Sequence, residues 1–212
     1  WFTGLVPLVG VLLGYNAVVS ERESGAILLS LSLPQARRDV VFGKLASRVG
    51  LLSVSLLASL LLAGALVVYP YGSLEALPFL GFVAVTIAYG GMWTGLGVAA
   101  SLSVATKRRS LLLAAGLFFL FVIVWEPITT AVESGLRAAG IIGEEMPGLL
   151  AFVLSVDPGG VFGRVVDGFI DPSTSLDGPW YLGEWVALAL FVLWIVVPLG
   201  LAYLRFAGRD LA

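Results

Sequence analysis

The stretch SERESGAILLSLSLPQARRDVVFGK occupies Ser20 to Lys44, between two long apolar runs. Its middle, Ala26 to Leu33, is apolar on nearly every side and predicts a short helix. Eight residues rise only about 12 Å, well short of a bilayer. Pro34 interrupts the hydrogen-bond ladder and disfavours a helical residue before it. A second helix is predicted from Gln35 onward, running into the next apolar stretch, with Arg37, Val41, Lys44 and Arg48 on one face. The segment therefore reads as a helical elbow, apolar where it meets neighbouring helices and charged where it meets water. Such an element suits the docking of a soluble partner. The plainer reading is an ordinary charged connection between two membrane spans, with its Arg and Lys residues supplied by topology alone.

Composition makes lipid the solvent of this chain. Its 212 residues are 59% hydrophobic and 12% charged, with mean hydropathy +1.02. Soluble domains carry about 25% charged residues. There is no cysteine and no histidine, which removes thiol chemistry, the commonest general base and the commonest transition-metal ligand. A membrane enzyme built on His, a metal cluster or buried catalytic carboxylates is therefore disfavoured. No cofactor and no metal site is expected.

Five segments are long and apolar enough to span: about 1–19, 49–69, 78–104, 110–131 and 184–203. The predicted fold class is all-α, a polytopic membrane helix bundle with short interfacial helices and a single domain over 1–212. Basic residues orient the spans, because Lys and Arg stay on the cytoplasmic side. Of the twelve, only Arg137 and Arg164 lie outside the 20–48 loop, the 105–109 turn and the C-terminal tail. Acidic residues crowd the long 132–183 segment. The 20–48 loop and the C-terminus are thus expected in the cytoplasm. Residue 1 then falls outside without a recognisable signal sequence, so one preceding helix and a six-helix parent are expected.

Other constellations are weaker. Gly91-Met92-Trp93-Thr94-Gly95 is a literal GxxxG, within a stripe that includes Ala84, Ala88 and Ala99. Small residues in a stripe let helix backbones approach closely. Packing within one subunit is the plain reading and a dimer seam the sharper one. Glu126 is an ionisable residue near a span end, read as a solvated terminus or a substrate ligand. Residues 146–156 are apolar but too short to span, hence interfacial or re-entrant. Val161, Phe162, Val165, Val166, Phe169 and Ile170 predict an amphipathic helix lying on the membrane, with Arg164 and Asp167 off its apolar face. Asp157, Asp167, Asp171 and Asp177 are separated by Pro, Gly and apolar residues and do not read as a metal site. No phosphate-binding glycine loop is present, since Gly43-Lys44-Leu45 lacks the upstream glycine and the hydroxyl. ATP hydrolysis is therefore expected on another polypeptide.

The 15–44 stretch resembles the signature loop of ABC-2 type transporter permeases. That pattern has an acidic–basic–acidic triplet, a Gly, a leucine-rich turn, a Pro, an Arg and a Gly-Lys. Here these match Glu21, Arg22 and Glu23, then Gly25, residues 28–33, Pro34, Arg37 or Arg38, and Gly43 with Lys44. The opening LVPLVGVLLGYNAVVSERESG further resembles the branch that works beside nitrous oxide reductase maturation. The family's N-terminal segment and first helix have no counterpart in this sequence. The resemblance implies a transmembrane permease subunit whose 20–48 loop is contacted by a cytoplasmic ABC ATPase subunit. It also implies pairing, as a homodimer or with another permease, in contact with membrane lipid and with no nucleic acid. A different class is a non-transporting membrane scaffold or assembly factor for a metalloenzyme maturation complex.

Overall fold

Lipid offers no hydrogen bonds, so a spanning chain must pair its backbone internally. The computed structural model describes residues 2–24, 37–72, 74–143, 146–171 and 178–208, and every regular element among them is helical. In chain order these are α1 (Phe2–Gly14), α2 (Val19–Glu23), α3 (Arg37–Tyr71), α4 (Ala76–Ser103) and α5 (Lys107–Phe118). A π-helical stretch, Phe119–Val124, joins α5 to α6 (Trp125–Ala138) without a break. Then come α7 (Gly148–Leu154), α8 (Pro158–Phe169), a single 3₁₀ turn (Trp180–Leu182) and α9 (Glu184–Ala207). Five helical stretches are long and apolar enough to cross a membrane: Thr3–Glu23, Arg38–Tyr69, Ala76–Ser103, Lys107–Ala138 and Glu184–Phe206. They cover the five expected segments. The boundaries differ most at α3, which starts a dozen residues before position 49, and at α6, which ends at Ala138, seven residues after position 131. Apolar content marks only the lipid-crossing part of a helix, and these ends extend beyond it.

The core forms around α4, which touches α1, α3, α5, α8 and α9. Its second half, Met92 to Leu102, is buried without interruption. Small side chains make this possible, but not those of the literal GxxxG. A Cβ at Gly97 would lie 2.8 Å from the Val11 carbonyl and 2.9 Å from Cα of Gly14, so α1 and α4 cross backbone to backbone there. Gly10 completes the crossing against Trp93 and Gly90. By contrast, a Cβ at Gly91 would meet only Val49 at 3.5 Å, and one at Gly95 would meet nothing within 4 Å. Within this chain the closest backbone approaches of α4 to α1 are therefore at Gly90 and Gly97, against Gly10 and Gly14, and the Gly91–Gly95 pair takes no part in them. Which stripe of a small-residue helix is closest depends on its partners, and the spacing of glycines does not report it.

The 148–169 region forms a bent pair, α7 and α8 meeting at 115°. Both outer ends of the pair lie where α4 and α9 begin. There Phe169 packs edge-on against Trp185 with centroids 5.1 Å apart, Phe152 against Tyr181, and Ile170 beside Gly81. The bend lies far deeper. Phe162 stacks on Tyr89 at 4.4 Å, and Trp194 Nε1 donates to the Val156 carbonyl at 2.8 Å. Tyr89 stands about 20 Å along α4 and Trp194 about 15 Å along α9, at 1.5 Å per residue. The pair is therefore a hairpin whose apex lies about half-way along α4 and α9.

This corrects the picture of α8 as a surface helix. Val161, Phe162 and Val165 are buried in the main core with Tyr89, Phe191 and Ala187, and Arg164 is only 9% exposed. An amphipathic stripe reports only that one face seeks apolar contact. Here α4 and α9 supply that contact.

A hairpin apex in lipid must find partners for its backbone. Asp157 accepts from the Gly159 and Gly160 amides, both at 3.0 Å, as an N-cap with Pro158 in the first turn. Trp125 Nε1 donates to the Leu154 carbonyl at 3.0 Å. Arg164 donates to the Ser155 carbonyl at 3.2 Å while its guanidinium lies over Phe152, 5.8 Å from the centroid.

Candidate functional site

Most of the chain's basic residues belong to the end of the bundle opposite the hairpin mouth, called the basic end below. There α1 stops at Gly14, turns through Tyr15–Val18 and resumes as α2. A broken helix exposes carbonyls and amides that the intact helix would have paired. Ser20 Oγ on α2 donates to the Asn16 carbonyl at 3.0 Å, and the other side chains that answer them come from further parts of the bundle. Ser101 Oγ on α4 accepts from both the Val18 and Val19 amides at 2.9 Å. Arg48 Nε on α3 donates to the Leu13 carbonyl at 2.6 Å, and Lys44 Nζ donates to the Ala17 carbonyl at 3.1 Å. Ser110 Oγ on α5 donates to the Tyr15 carbonyl at 2.6 Å.

The acidic–basic–acidic triplet lies on α2, one turn after this break. Glu21 pairs with Lys44 of α3 at 2.5 Å, in a setting that leaves their side chains 32% and 19% exposed. Arg22 Nη1 donates to the Val104 carbonyl at 3.1 Å, and its guanidinium lies 5.2 Å from the centroid of Phe206 on α9. Glu23 Oε1 accepts from the Lys107 amide at 2.8 Å, in the first turn of α5. A carboxylate beside a helix N-terminus is favoured by the exposed amides and the helix dipole.

The other expected loop residues divide into two groups. Gly25, Pro34 and the predicted 26–33 helix lie outside the described residues. Arg37 opens α3, and Arg38 on the same turn is solvent-exposed, its side chain 71% accessible and 3.6 Å from Asp39. The face carrying Val41, Lys44 and Arg48 turns inward. Val41 is buried among Ala17, Val18, Leu102 and Phe206, while the two cations reach the broken end of α1. The segment's outward charge at Arg38 and its inward charge at Lys44 and Arg48 thus belong to opposite faces of one helix.

Sequence reading missed Ser101 and Ser110, because a hydroxyl in an apolar helix usually bonds its own preceding turn. The available signal was their position close to the basic turn between two spans. Ser101→Ala would leave two buried amides without an acceptor. A loss of about 2 kcal/mol is expected, visible as a lower thermal midpoint of the purified protein in detergent. An unchanged midpoint would show that the turn does not depend on this hydroxyl.

On the hairpin side, a cavity of about 690 Å³ opens between α1, the α5–α6 span and the apex. Tyr89, Phe121, Trp125, Glu126, Thr129 and Asp157 are among its lining residues. Glu126 is exposed at this cavity, whereas Asp157 is 7% exposed and committed to capping α8. Among the described residues, no three His, Cys, Asp or Glu side chains converge as a metal-binding group.

Comparison with known proteins adds the family. The family model described as ABC-2 family transporter protein matches residues 1–211. Two relatives bear the description Probable ABC transporter permease protein NosY. One, from Stutzerimonas stutzeri, is 28% identical over 226 residues, covering 98% of this chain and 77% of the relative. The other, from Pseudomonas aeruginosa, is 28% identical over 222 residues, covering 99% and 78%.

Proposed function

The chain belongs to the ABC-2 transporter family, and from that premise we propose that its 20–48 loop receives a separate cytoplasmic ATPase which drives cargo across the cell membrane. Membership makes it the transmembrane subunit of an ABC transporter. The observation that carries the docking reading is the way the 25–36 connection is rooted. Its two flanking helices, α2 and α3, are joined by the Glu21–Lys44 pair, and α2 is bonded to the ends of further helices at the basic end. A soluble partner pressing there acts on a point that is tied to several helices of the bundle.

Charge distribution supports the same reading. Arg38 is exposed on the turn that leaves the loop, and Arg37 precedes it. Both lie on the side that the positive-inside bias assigns to the cytoplasm. The C-terminus belongs to that side as well. In this reading the long 132–183 segment, with its hairpin, faces the exterior, and two permease subunits pair in the membrane.

Reversal of both arginines, R37E with R38E, tests the assignment. The expected result is loss of most of the ATPase that co-purifies with the wild-type permease, with the amount of permease in the membrane unchanged. Retention of the ATPase at wild-type level would remove these residues from the docking surface. Reconstitution with the ATPase separates a transporter from a non-transporting scaffold. A transporter stimulates nucleotide hydrolysis in the presence of cargo, and a scaffold leaves it unaffected.

A further inference from the structure

We propose that Glu21, Arg22 and Glu23 form a transmission joint, which fastens the root of the 25–36 loop to the basic ends of α3, α5 and α9 so that these helices move with the loop. The inference deepens the docking reading and rests on it for the source of the force. Three neighbouring residues on a helix point in directions about 100° apart, and here each direction meets a different element. Glu21 reaches Lys44 on α3. Arg22 reaches the Val104 carbonyl in the α4–α5 turn and the face of Phe206 on α9. Glu23 reaches the backbone amide of Lys107, which starts α5.

Two further observations favour transmission over docking. The Tyr15–Val18 turn interrupts the regular hydrogen-bond ladder between α1 and α2, although the two together make one span, Thr3–Glu23. The lateral bonds of α2 then add to its backbone connection in deciding what moves when α2 moves. Each residue of the triplet also already holds a partner within the chain, and the Glu21–Lys44 pair is sheltered enough from water to resist screening. A docking surface needs groups that are free to meet a partner, as Arg38 is placed to do.

The test has two arms, both read by amide hydrogen exchange. In the isolated permease, Glu23→Ala removes the acceptor at the start of α5. Exchange in the 104–110 segment is expected to rise roughly tenfold, the size of a lost charged hydrogen bond. In the complex with its ATPase, a non-hydrolysable ATP analogue is expected to change exchange across 104–110 in the wild type. That response is expected to vanish in the Glu21→Ala, Glu23→Ala double variant, although the ATPase still co-purifies. The charge exchange E21K with K44E is expected to restore the α3 tie and bring back part of the response.

Unaltered exchange in the isolated Glu23→Ala protein would overturn the joint, as would a normal nucleotide response in the double variant. Loss of the ATPase from the double variant would also overturn it, by making the triplet part of the docking surface. A wild-type permease that captures no ATPase would instead refute the docking reading. The exchange arm on the permease alone would still decide whether the triplet ties these helices together.

Discussion

Gly97→Ala is expected to lower the thermal midpoint of the purified protein by roughly 6–12 °C, while Gly95→Ala leaves it unchanged or slightly raised. The two positions lie on one helix two residues apart, and both substitutions add one methyl group. At Gly97 the new Cβ would overlap the backbone of α1, at 2.8 Å from the Val11 carbonyl, 2.9 Å from Cα of Gly14 and 3.0 Å from the Tyr15 amide. Backbone atoms cannot move aside as a flexible side chain can. The α1–α4 crossing must open, and overpacking of this kind costs about 3 kcal/mol. For a chain of this size each kcal/mol shifts the midpoint by about 2–4 °C. At Gly95 nothing stands within 4 Å of the added methyl, and alanine's better helix propensity contributes up to about 1 kcal/mol. Equal effects at the two positions would show that the crossing is not where the structure puts it.

The second large effect is expected at the hairpin apex. Asp157→Ala should cost about 2–3 kcal/mol and make the apex accessible to solvent, while Asp157→Asn should cost about half as much. The carboxylate holds the Gly159 and Gly160 amides at the buried start of α8. Loss of an N-cap costs about 1 kcal/mol at a surface, and a buried donor left without a partner adds its desolvation penalty. Asparagine keeps an acceptor oxygen and serves well as a cap. Thermal unfolding gives the energy. Hydrogen exchange at residues 155–161 reports the opening directly, with faster exchange in Asp157→Ala than in Asp157→Asn. If the two variants behave alike, capping is not what the carboxylate does.

These two sites show how unevenly structure is written into the chain. Spans were legible because about 20 consecutive apolar residues have few other uses, and the five predicted segments coincide with five long helices. Of the predicted elbow the described residues include only the far side, where α3 runs without interruption from Arg37 into the second span. The family followed from the spacing of charged, glycine and proline residues around that elbow. Position 97 was not legible. A stripe of small residues announces a close approach but not which residue makes it. The hairpin was half legible, since residues 146–156 are too short to span, while the burial of α8 depends on aromatic partners, Tyr89 and Trp194, that lie far away in sequence.

The triplet illustrates the same division within the candidate site. Its charges mark the end of a span next to water, and that much is local chemistry. Whether they face a partner or the protein's own helices depends on how α2 is rotated after the Tyr15–Val18 break, which is a long-range outcome. Glu21 finds Lys44 across 23 positions and Glu23 finds Lys107 across 84.

By itself, the amino-acid sequence determined that this chain lies in a membrane, how many long helices it contributes, and which end carries its basic residues. Those properties follow from transfer free energies, which each segment carries independently of its neighbours. Only the tertiary structure decided which glycines meet, how far the 148–169 hairpin descends, and where the triplet's charges are held. Each of these is a pairing between distant segments, and a pairing has no energy until both partners are in place.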